Sequence, residues 1–221
     1  MTSAFRVYSK EMLPLYLFVC VLFIMGVVFG ALLVNELTLQ QKQDVTQYLN
    51  TFLANYAGAD AAAAGAGLDA APGPSAATLW EAFGSHARWV FFIWILGLSV
   101  VGVPLILLLD FLKGVLVGFT VGYLAGQWSW KGVVFAVASV APQNVVAVPV
   151  IIVASATAIS FSMLLVRSRF ANRSGTIGRP FAAFSAVALV LVGLMLIVSA
   201  FEAYVSPELL EWATPMLLEG V

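Results

Sequence analysis

Asp110 and Lys113 stand three residues apart inside an apolar run, and they are the first groups in this chain to weigh for chemistry. On a helix the two share a face and lie close enough to pair. At membrane depth an unpaired charge is costly, so they either pair or sit at the cytoplasmic boundary of the apolar layer. The boundary placement is the simpler expectation; a polar pathway or a partner-binding switch inside a helical bundle is the sharper one. Gln143 and Asn144 follow Pro142 in another apolar run. A helix broken at membrane depth is tolerated only where protein or a water-filled cavity covers it, and transporters place substrate sites at such breaks. The amides can equally hydrogen-bond the backbone groups that the proline frees, which is the expected role. Glu202, near the outer end of the last apolar run, is placed to pair with Lys131 or Arg88, or to stand alone as an acid at headgroup level.

These five residues are the candidate functional polar groups, and they do not add up to a catalytic set. No Ser/His/Asp arrangement, HExxH motif or phosphate-cradling glycine loop is present. One histidine, His86, and one cysteine, Cys20, give none of the usual zinc constellations and no intrachain disulfide. No enzyme, catalytic residue, cofactor or metal is expected.

The elements that must position these groups belong to a membrane. Of 221 residues, 62% are hydrophobic and 10% charged, and the mean hydropathy is +1.02. Soluble domains carry about 25% charged residues. The net charge of −1 and the lack of a long basic patch give no reason to expect nucleic acid. The expected fold is an all-α, polytopic membrane domain over 1–221 with about five transmembrane helices. Arg6 and Lys10 precede the first span, 13–34, and place the N-terminus in the cytoplasm. An extracytoplasmic loop, 35–88, follows. It contains an amphipathic helix, 44–57, with apolar residues at i, i+3, i+4 spacing, and an Ala/Gly/Pro linker, 58–77, with no fixed structure assigned. The amphipathic helix lacks the basic face of an anionic-lipid binder, which favours contact with protein, either a partner or its own spans.

A second span over 89–109 and a short third over 111–127 are divided at the Asp110–Lys113 charges, with Gly102 and Pro104 allowing the second to bend. The run 133–166 is one net crossing, either kinked or built from a re-entrant half-helix and a span, with its break at Pro142–Asn144. Arg167, Arg169, Arg173 and Arg179 mark 167–180 as a cytoplasmic loop. A fifth span, 181–204, leads to an extracytoplasmic tail, 205–221, so the C-terminus is outside.

Glycines hold this bundle together in the expected fold. Gly114, Gly118, Gly122 and Gly126 recur every four residues, each about 40° around the helix from the last. Gly26 and Gly30 make a smaller step of the same kind. Such small-residue faces let helix backbones approach closely, within one chain or between copies in a homo-oligomer.

Several stretches in order, YLFVCVLFIMGVVFGALLVN (16–35), FLKGVLVGFTVGYL (111–124), W-x-G (130–132), SVAPQN (139–144), AISFS (158–162) and SAFEAYVSP (199–207), resemble the stage II sporulation protein M family. The resemblance implies a multi-pass protein of the mother-cell membrane, at the septum and the engulfing membrane during sporulation. It also implies two partners, stage II sporulation proteins D and P, which degrade septal peptidoglycan and which this protein would anchor or localise during engulfment of the forespore. Membrane lipid is the other expected partner. A channel or transporter using the break at Pro142–Asn144 is the alternative function.

Overall fold

The computed structural model describes residues 2–47, 76–99, 101–170 and 178–205, which form helices and short turns with no strand among them. Helix α1 (Thr2–Leu33) ends in a single 3-10 turn, Val34–Glu36. A further helix, α2, begins at residue 39 and is described to 47. Then come α3 (Ala76–Gly97), α4 (Gly102–Phe170) and α5 (Gly178–Tyr204). The rest of the amphipathic helix expected over 44–57, most of the linker 58–77, loop residues 171–177 and nearly all of the tail 205–221 lie outside the described residues.

Four segments are long and apolar enough to cross a membrane: Leu13–Glu36, Gly102–Trp128, Val140–Ser168 and Gly178–Tyr204. The segment expected to span over 89–109 is divided differently. Helix α3 stops at Gly97, and the chain turns through 3-10-type hydrogen bonds from Leu98 to Ile95 and from Ser99 to Leu96 before α4 begins. A Cβ at Gly102 would collide with the Leu96 carbonyl, so the turn requires glycine there. Pro104 falls in the first turn of α4, where its missing N–H costs nothing. Gly102 and Pro104 therefore start a helix and do not bend one. Asp110 and Lys113 lie well inside the span, about 12 Å and 17 Å along the axis from Gly102, and not at a cytoplasmic turn.

The backbone of α4 is helical throughout its 69 residues, yet it is not a straight rod. Asp110 and Ser155, 45 residues apart, are joined by a 2.7 Å hydrogen bond, whereas a straight helix would separate them by about 67 Å. Leu124 packs on Phe135 and Ala136, and a Cβ at Gly132 would run into the Leu124 carbonyl. The chain thus reverses between the two apolar segments, giving a first arm (102–128) and an antiparallel second arm (140–168). Exposed Trp130 stands at this reversal.

No break occurs at Pro142–Asn144, which are helical. Pro142 lies inside α4, as does Pro149, and the helix continues through both; proline is tolerated within membrane helices where neighbouring groups satisfy the freed carbonyl. Asn144 spends its amide on the Val140 carbonyl four residues back, at 2.8 Å.

Helix α1 packs along the first arm of α4, while α3 and α5 pack on each other and on α4. Glycine sets the α1–α4 contact. A Cβ at Gly26 would strike the Phe111 carbonyl, at Gly30 the Val115 carbonyl, at Gly114 the Phe23 carbonyl, and at Gly118 the Val27 carbonyl; at Gly122 it would come within 2.9 Å of the Ala31 Cα. Gly126 has nothing within 4 Å and takes no part. The core proper lies between α3, α5 and both arms of α4, where Val90, Ile93, Ile106, Ile159, Met195 and Val198 are buried.

Thr38 and Gln41 form a reciprocal cap at the start of α2: the Gln41 side chain accepts from the Thr38 backbone at 3.1 Å, and the Thr38 hydroxyl accepts from the Gln41 backbone at 3.4 Å. The Tyr123 hydroxyl donates to the Lys42 carbonyl at 2.8 Å and lies 2.8 Å from the Thr46 hydroxyl. This described part of the loop is docked on the protein's own first arm.

Candidate functional site

Four of the five candidate polar residues, Asp110, Lys113 and Gln143 of α4 and Glu202 of α5, make contacts between helices or between the arms of α4. Asp110 is 1% exposed, on the first arm of α4. Its Oδ1 accepts a hydrogen bond from Ser155 on the second arm, and its buried Oδ2 has no partner among the described residues. Lys113, one turn along, does not close an ion pair with Asp110; the close contact between a basic and an acidic side chain among the described residues is His86–Glu202. The Lys113 ammonium instead lies 5.4 Å from the centre of the Trp89 ring, a cation–π contact.

Glu202 is the hub at one end of the bundle. Its Oε2 is 2.7 Å from Nε2 of His86. With the Gln143 amide oriented to present its nitrogen, Gln143 donates to both oxygens of Glu202, at 3.0 and 3.2 Å. The pairing expected with Lys131 or Arg88 is replaced by one with His86. Burial explains the choice: His86 is 8% exposed and faces into the bundle, whereas the Arg88 guanidinium turns back to the Gly84 carbonyl at 3.0 Å. The three residues His86, Gln143 and Glu202 also fix the alignment of α3, the second arm of α4 and α5, each of which contributes one of them.

Between these groups and the opposite end the interior is apolar, with Ile106 and Ile159 filling it. At that end the Ser162 hydroxyl donates to the Ser99 carbonyl at 2.8 Å, closing the turn after α3. Asp110 and Ser155 are both at most 1% exposed, so their hydrogen bond lies wholly inside the bundle. No three His, Cys, Asp or Glu side chains converge to hold a metal among the described residues.

Gln143, Glu202 and Lys113 are thus brought into one neighbourhood, Asp110 adjoins it, and Asn144 serves its own helix. Sequence reasoning missed Ser155, His86 and Tyr123. Ser155 sits in an Ala-Ser-Ala stretch inside an apolar run, a polar residue that membrane depth makes noteworthy. His86 gave no such signal, because its partner is 116 residues away.

No curated protein and no solved structure matches the chain. The family model of stage II sporulation protein M matches residues 19–207, which takes in the glycine face, the Asp110–Ser155 pair and the Glu202 hub. The chain belongs to the stage II sporulation protein M family and is a sporulation-related, multi-pass membrane protein.

Proposed function

We propose that this protein is a non-catalytic membrane scaffold. In the mother-cell septal and engulfing membrane it anchors or localises the peptidoglycan-degrading stage II sporulation proteins D and P while the forespore is engulfed. Family membership supports the sporulation setting. The observation that carries the scaffold role is how the interior polar groups are used. Asp110 is bonded to Ser155, Glu202 to His86 and Gln143, and Asn144 to the Val140 carbonyl. The bonds of Asp110 and Glu202 knit helices together, that of Asn144 secures its own helix, and they leave the bundle as a rigid platform for its extramembrane segments. A transporter at Pro142–Asn144 would draw on a broken helix, and the helix is continuous there.

The test is partner localisation in sporulating cells. Deletion of 205–221, or of 36–56, should disperse fluorescently tagged partner proteins from the septum while the truncated protein still reaches the membrane. Partners that stay at the septum in both deletions would sink docking through these segments.

A further inference from the structure

A groove of about 410 Å³ opens on the outside of the bundle between the second arm of α4 and α5. Its volume falls in the ordinary range of small-ligand sites, about 300–1,000 Å³. Phe161 and Phe184, stacked with ring centres 4.8 Å apart, form part of its wall with Leu164 and Pro180, and Thr157 and Ser160 add hydroxyls. The rim faces lipid: Leu164 is 42% and Val187 36% exposed. From Thr157 to the end of the span at Ser168 the helix rises about 17 Å, close to the roughly 15 Å of one leaflet's hydrocarbon. The groove therefore runs from headgroup level towards the bilayer midplane.

Charge singles out one end of it. Arg167 lies one turn beyond Leu164, and Arg179 adjoins Pro180, so each wall of the groove ends in an exposed arginine. Neither guanidinium has an acidic partner among the described residues. By the positive-inside rule this end faces the cytoplasm, where anionic lipids attract basic residues and basic sites between spans hold phosphate headgroups. A guanidinium pair matches phosphate oxygens geometrically as well as in charge.

We infer that this groove seats an acyl chain of an anionic phospholipid, with Arg167 and Arg179 holding its phosphate. The groove supplies the apolar contact and the arginines the selectivity for negative headgroups.

Binding is tested on the purified full chain in mild detergent, by native mass spectrometry with equal amounts of phosphatidylglycerol and phosphatidylcholine. Phosphatidylglycerol should be retained preferentially. Arg167→Gln and Arg179→Gln should each weaken its retention roughly five-fold and that of phosphatidylcholine, whose choline offsets the phosphate charge, by less. Ala183→Leu, which narrows the groove, should weaken retention of both lipids, and lipid-free thermal unfolding of each variant should match the parent to show that the fold is kept. Equal retention of the two lipids by the parent, or unchanged selectivity in the double arginine variant, overturns the inference. So does displacement of the lipid by glycerol phosphate at equal concentration, which would mark a site for free phosphate. Full retention in Ala183→Leu would remove the acyl chain from the groove.

Discussion

The hydroxyl of Ser155 donates to the Asp110 carboxyl across 2.7 Å, tying the two arms of α4 together inside the apolar layer. Removing the donor alone, in Ser155→Ala, leaves both oxygens of a buried carboxyl without a partner and should cost about 1–3 kcal/mol. Replacing both groups, in Asp110→Leu with Ser155→Ala, should cost less than the sum of the single changes, because no orphaned polar atom remains. Denaturant unfolding in detergent, followed by tryptophan fluorescence, measures both. Strict additivity would mean the pair is not coupled.

The glycines of the first arm should divide by position. At Gly118 an added methyl meets the Val27 carbonyl, and Gly118→Ala should destabilise by about 1–3 kcal/mol through overpacking. At Gly126 there is open space, and Gly126→Ala should be neutral or stabilise by up to about 1 kcal/mol through helix propensity. A lowered thermal midpoint for Gly118→Ala and an unchanged or raised one for Gly126→Ala are the expected outcome.

Glu202 joins α5 to α3 through His86 and to the second arm through Gln143. A double-mutant cycle of His86→Ala and Glu202→Gln should give a coupling of about 0.5–3 kcal/mol in thermal unfolding. Zero coupling would reduce the 2.7 Å contact to coincidence.

Tyr123 should control the described start of the loop that follows α1. Tyr123→Phe keeps the ring stacked against Phe119, at 6.2 Å between centres, and removes the hydroxyl that holds Lys42 and Thr46. Hydrogen exchange over residues 39–47 should speed up while exchange in the first arm stays as it was.

Asn144→Ala removes one amide-to-carbonyl bond in a helix that is otherwise continuous. The expected cost is about 0.5–1.5 kcal/mol, with no change in ion or solute flux in proteoliposomes. Flux through the parent protein that disappears in this variant would favour transport over the scaffold role.

Much of the fold was legible in local sequence. The all-α membrane class, the long apolar segments and the basic stretch after the second arm follow from composition and charge alone. Turn positions were harder to read. Residues 89–126 are apolar almost throughout, and the only charges deep within this run, Asp110 and Lys113, suggested the boundary. The actual turn is made by Gly97, Ser99 and Gly102 within the apolar stretch, where steric fit and 3-10 hydrogen bonds decide and hydropathy does not change. Pro142 misled in the opposite way: it lies inside α4, which stays helical across it, so a proline within an apolar run did not mark a break.

By itself, then, the sequence determined what each segment is: apolar or basic, helical, smooth-faced where glycine recurs. Those properties come from transfer free energy and from hydrogen bonds between near neighbours in the chain. Only the tertiary structure decided which faces meet. Asp110 finds Ser155 45 residues on, and His86 finds Glu202 at a separation of 116. A local window cannot choose such partners, because the choice depends on where the chain reverses and on how closely the glycine faces let the helices approach.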